Sequence, residues 1–318
     1  MSVPFPLVVS PYELDARGAV ADVAFLLGQP AITLLPTPFE GTSRESVNAA
    51  AASAPEFARL IRRWGWMQDL WRNGALRPSY AGIEPIDLVR ETEHTIRNEP
   101  GFAGLSNLMR QGVFDSTHEY LRALCRDIPL GGAEPAVSVP ISVGLSRFAH
   151  AINAPLLQEH TRRSNGSIVR RLETRALRTT TRISIPLPRD VEPEVTLELR
   201  DILAAPLERL RGLLESDQDT SGDDVIDFEQ TMLDAMQRET IRFGLSSAPR
   251  RGRRLSMVLL SCATMPEQAP LVAALRASSL ASRRRNGVQS VSGPASSTLA
   301  LRPLRVLSVR ELPWQEPV

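Results

Sequence analysis

Residues 136–200 read AVSVPISVGLSRFAHAINAPLLQEHTRRSNGSIVRRLETRALRTTTRISIPLPRDVEPEVTLELR, and the division of this stretch decides the fold. Three runs in it alternate apolar and polar residues with period two. They are Val137, Val139, Ile141 and Val143, then residues 177–187, then Val195, Leu197 and Leu199. Alternation of this kind marks a strand with one buried and one wet face, so three strands are expected. A short helical segment and an arginine-laden loop, Arg162-Arg163-Ser164-Asn165-Gly166, separate the first two.

A comparable order recurs from residue 254. A strand is expected over 255–261, followed by a helix containing Ala269-Pro270-Leu271 where the first unit has Ala154-Pro155-Leu156. The loop Arg283-Arg284-Arg285-Asn286-Gly287 and a strand over 299–309 complete the second unit. Stretches 136–200 and 254–311 therefore read as units of an internal duplication, with coincidence of short motifs as the competing explanation. Two helices within 200–245 join them. Ile202, Leu203, Leu207, Leu210, Leu213 and Leu214 mark the first, over 200–215. Ile226, Phe228, Met232, Leu233, Met236 and Ile241 mark the second, over 225–243.

Upstream, residues 1–130 read as a largely helical region with a short β-containing N-terminus. Strand-like runs at 5–9 and 31–35 flank a helical segment over 19–27, without the glycine pattern that cradles phosphate. From residue 57, Leu60, Ile61, Trp64, Met67 and Trp71 form a helical stripe, and Asn73-Gly74 offers a left-handed stop. Further helices are expected over 85–97, with proline in the first turn, over 102–109, and from Ser116, which has capping-box spacing to Glu119. Residues 313–318 form a tail. The expected class is mixed α+β, a helical N-terminal portion (1–130) followed by an α+β portion (136–312).

At 318 residues, with 42% hydrophobic and 23% charged side chains, the chain has the composition of a soluble globular protein. The N-terminus lacks a basic region ahead of its apolar stretch, so cytoplasmic residence without membrane association is expected. Cys125 and Cys262 read as core residues. The sequence contains no lysine. That excludes a Walker-type phosphate lysine, a pyridoxal or aldolase Schiff base and a kinase-type ATP lysine.

Candidate sites are few. Asp217, Asp219 and Ser221, followed by Gly222, resemble the opening of an EF-hand calcium loop. The resemblance stops there, since Phe228 stands where the bidentate glutamate belongs, and a solvated acidic turn is the favoured reading. His94, His118, His150 and His160 form no i, i+4 pair, and there is no HExxH or GxSxG. No metal or cofactor is expected.

Charge is distributed in blocks although the net charge is +1. Arg162, Arg163, Arg170, Arg171, Arg175, Arg178, Arg182 and Arg189 make one stretch basic, residues 190–239 are acidic, and 250–285 are basic again. Arg178 and Arg182 are expected to share a strand face. Trp64, Trp66 and Trp71, flanked by arginines, read as the core of the helical region with one edge available as an interface anchor. The leading expectation is a non-catalytic protein acting through protein–protein contacts, as a homo-oligomer or a subunit of a larger complex. Arginine-mediated binding of nucleic acid is the alternative. An enzyme with an unmarked metal or hydrolytic site is the second alternative.

Overall fold

A computed structural model describes residues 5–15, 17–34, 55–80, 82, 85–98, 100, 106, 117–159, 178–188, 192–215, 222–242, 255–265 and 304–312. Its centre is a mixed seven-stranded sheet, and the class is α+β. The strands are β1 (Leu7–Val9), β2 (Ala31–Ile32), β3 (Leu76–Arg77), β4 (Leu156–Glu159), β5 (Arg178–Pro188), β6 (Leu255–Met265) and β7 (Leu304–Leu312), in the order β3-β2-β1-β4-β7-β6-β5. The first five strands of that order are parallel, with Leu7 opposite Ala31, Val8 opposite Leu156 and Leu156 opposite Val306. β6 runs antiparallel to both β7 and β5.

Burial follows this topology. Leu7, Val8 and Val9 are all buried, as are Leu156, Leu157 and Gln158, because helices cover both faces of the parallel part. Along β6 burial alternates instead: Val258, Leu260 and Cys262 are buried while Met257, Leu259 and Ser261 are partly exposed. Helix α1 (Pro11–Asp15) and α2 (Ala19–Leu27) lead from β1 to β2. Between β2 and β3 lie α3 (Pro55–Arg63), a 3-10 turn (Gly65–Met67) and α4 (Gln68–Arg72). The path from β3 to β4 contains α5 (Pro85–Asn98), α6 (Thr117–Asp127) and α7 (Pro135–Ala151). It runs the opposite way across the sheet, so right-handed crossovers put α2 on one face and α7 on the other. The chain reverses direction between β1 and β4. Helices α8 (Pro193–Ile202), α9 (Ala204–Glu215) and α10 (Gly222–Arg242) follow β5.

Two expected strands are helices. Residues 137–143 belong to α7, which starts with Pro135 in its first turn and Glu134 as N-cap. Ser138, Ser142 and Ser146 donate to the carbonyls of Glu134, Ser138 and Ser142, each four residues back. The helix is buried nearly all round, so its apolar residues need no amphipathic spacing. Residues 195–199 belong to α8. Its buried residues are Pro193, Thr196 and Leu199, a helical spacing that the buried C-cap Leu203 continues, while Val195 and Leu197 are only partly buried. The helix expected over 200–215 is accordingly split at Leu203 into α8 and α9. Residues 137–143 are thus helical where 255–261 are strand, and the elements matched by the repeat differ in kind. The helices expected over 19–27, 85–97 and 225–243 are present. The one expected over 102–109 and the Ser116 cap lie outside the described residues. Among the described residues no single helix is long and apolar enough to cross a membrane.

The Asn73-Gly74 stop forms as expected. Gly74 has φ +67°. Its N–H donates to the Trp71 carbonyl at 3.0 Å, and the Ala75 N–H to Leu70 at 2.9 Å. These are the paired bonds of a Schellman turn, which throws the chain from α4 directly into β3.

Candidate functional site

In open α/β sheets ligands gather beyond the carboxyl ends of the parallel strands, where the strand order reverses. Here that position lies above β1 and β4, and the chain fills it with its own side chains. Ser10, Tyr12, Glu13 and Thr33 are all buried there. The Tyr12 hydroxyl donates to Asp127 Oδ2 at 2.7 Å, and its ring packs on Gly132, whose added Cβ would lie 3.6 Å from Tyr12 Cε1. Asp127 Oδ1 accepts the N–H of Glu134 at 2.7 Å, at the start of α7. A helix N-terminus is a ready anion site, and in α7 a carboxylate of the same chain serves it. Burial pushes the Asp127 carboxyl above its ordinary range, and burial with the adjacent Asp127 pushes the Tyr12 hydroxyl well up. Tyr120 closes the other side by donating to the Leu34 carbonyl at 3.0 Å.

The tryptophan stripe divides as its burial dictates. Trp64 is core, 2% exposed, and its indole N–H donates to Asp15 Oδ1 at 3.0 Å. Arg63 takes the same carboxylate through Nε and Nη2, each at 2.6 Å. Trp71 is also core. Trp66 is only half-buried: its ring meets Phe25 edge-on at 5.9 Å, and the Arg17 guanidinium lies 5.0 Å from its centroid. Exposed Arg59 and Arg62 precede it on α3 without a carboxylate partner among the described residues. This combination of a half-exposed tryptophan and guanidinium groups has the composition of an interface hot spot. The adjoining Glu56 is drawn inward to Arg126 at 2.8 Å, and that bond holds its carboxyl below the ordinary value.

The expected arginine strip is only partly described. Arg162, Arg163, Arg170 and Arg171 lie outside the described residues, as do Asp217, Asp219 and Ser221. Arg182 is exposed on β5, the last strand of the sheet. A bulge between Thr179 and Thr181 sets position 178 opposite Thr264 but position 182 opposite Ser261. Those partners are three residues apart on β6, so the two positions do not share a face, contrary to the plain alternation.

Sequence reasoning missed a buried arginine, Arg211, and a part-buried one, Arg200. From α8, Arg200 Nη1 donates to the Gly28 carbonyl at 3.2 Å. From α9, Arg211 Nη2 donates to Leu27 at 3.0 Å. Together they cap the C-terminus of α2, where the helix dipole favours cations. Burial lowers the pKa of both. Their partners lie 172 and 184 residues away in sequence, so no local spacing could have revealed them.

Neither cysteine is poised as a nucleophile. Burial pushes the Cys125 thiol up to about 12, and Cys262 Sγ lies 3.5 Å from the Leu214 carbonyl. Among the described residues no three histidine, cysteine or acidic side chains group as metal ligands. Compared with known proteins, the chain matches no family model, no curated protein and no solved structure.

Proposed function

We propose that this is a non-catalytic protein that works by contact, offering the half-exposed Trp66 with Arg17, Arg59 and Arg62 to an acidic protein surface. The observation that carries the reading is Trp66, stacked under a guanidinium and left half open beside two exposed arginines. The occupied switch point supports it, because Tyr12 and Asp127 take the space and the helix N–H donor that a bound nucleotide would use. A second copy of the chain has the right sign of charge. On α10, Asp223, Asp224, Asp227 and Asp234 are exposed, Asp227 paired with Arg209 at 2.8 Å, and Arg238 is an exposed cation among the described side chains.

The test is light scattering on the purified protein at low and high salt. Self-association predicts a multiple of 35.0 kDa that dissociates as salt rises. Arg59→Glu with Arg62→Glu should give monomers, and adding Asp223→Arg with Asp234→Arg should restore assembly. A monomer at every concentration and salt would overturn self-association. Co-eluting 260 nm absorbance that is lost at high salt would transfer the arginine surface to nucleic acid.

A further inference from the structure

We infer that a cleft at the β3 end of the sheet binds a small planar anion. The cleft has a volume of about 440 Å³, and Trp71, Leu76, Arg77, Pro78, Ser79 and Tyr80 are among its lining residues. Small-molecule sites span roughly 300–1,000 Å³, so this one suits a single ring with one acidic substituent. It lies at the carboxyl end of a parallel strand, the end at which such sheets hold ligands.

Its arginine is set in place before any ligand arrives. The Schellman turn that ends α4 puts Gly74 beneath the Arg77 side chain, and Arg77 Nε donates to the Gly74 carbonyl at 3.2 Å. Arg77 Nη2 lies 3.5 Å from where a Cβ on Gly74 would sit, so the guanidinium rests against the turn. Nε is therefore engaged, while the Nη groups keep donors for a carboxylate or phosphate. Arg77 is exposed and has no carboxylate partner among the described residues. The aromatic and proline side chains supply flat apolar walls, with Tyr80 half-buried beside the core. A guanidinium fork next to flat walls selects a ring-bearing carboxylate or an aryl phosphate over an aliphatic or neutral molecule.

This inference is independent of the partner reading, since it concerns a different arginine and a small ligand. The test is calorimetric titration of the full chain with benzoate, phenyl phosphate and neutral benzyl alcohol, with tryptophan fluorescence as a second readout. Saturable binding of benzoate or phenyl phosphate is expected, weakened ~10-fold or more in Arg77→Gln as a charge-assisted hydrogen bond is lost. Arg72→Gln, which alters an exposed arginine paired with Asp69 on α4, should bind as the wild type does. Tyr80→Leu should weaken both anions together. Failure of both anions to saturate would overturn the inference, and so would equal affinity for benzyl alcohol or undiminished binding by a folded Arg77→Gln protein.

Discussion

Asp127 is the residue on which the filled switch point depends, because one carboxylate serves the Tyr12 hydroxyl and the α7 N-terminus together. Asp127→Ala removes the acceptor that both donors share and should cost about 2–4 kcal/mol of stability. Asp127→Asn can turn its oxygen to Glu134 and its amide to the Tyr12 oxygen, and should cost about 1 kcal/mol or less. The two variants also differ from the wild type in pH dependence. Burial raises the Asp127 pKa, so the native state holds this proton more tightly than the unfolded chain does. The stabilisation is fully present below the unfolded value of about 3.9 and is lost as pH rises through the folded one. In urea titrations at stepped pH, the wild type should lose stability relative to Asp127→Asn across that window and run parallel to it above. Curves parallel at every pH would show that the carboxyl is not shifted. Residues of this kind are read from sequence only when their partners are local. The Asn73-Gly74 turn was legible because every bond in it spans a few residues. The Tyr12–Asp127 pair spans 115 and left no pattern.

At the scale of elements, β5 is an edge strand of 11 residues, and an open edge of that length invites pairing with other chains. Three devices along its outer side prevent this. The outward Ser184 N–H is taken by Glu229 of α10 at 2.5 Å. Pro186 and Pro188 share that parity, opposite Met257 and Leu255, and have no N–H to offer. Pro186→Val with Pro188→Val should therefore keep the fold but give concentration-dependent association, read as rising light scattering and added strand signal. A strictly monomeric double variant would show that the prolines do not guard the edge. Pro186, inside the run 177–187, could be read in advance as a sign of an edge, and the strand itself was legible from its alternation. Residues 137–143 misled because apolar residues at every second position fit a helix that is buried on all sides. The serines at 138, 142 and 146 held the better clue, with a spacing of four. Residues 195–199 misled for a related reason: Thr196, a polar residue, is buried while Val195 and Leu197 are partly exposed.

At the scale of the whole molecule, β1 to β3 come from residues before 130 and β4 to β7 from residues after it, in one sheet. One cluster of buried side chains runs from Phe5 to Val309. Arg200 and Arg211 reach back from α8 and α9 to close the end of α2. Separately expressed segments 1–132 and 133–318 should each lack cooperative unfolding by circular dichroism, and the two mixed should recover it. A first segment that unfolds cooperatively alone would overturn this. The mixed class was visible from local patterns, but strand order was not, since it is set by pairings over hundreds of residues. That order has a mechanical consequence. β1 lies near one end of the chain and β7 near the other, the two are parallel, and only β4 stands between them. A load drawn through the chain ahead of Leu7 and beyond Leu312 would pull these strands in opposite senses along their own length. The ladders through β4 would then bear it together, in shear, and would not open one bond at a time like a zip.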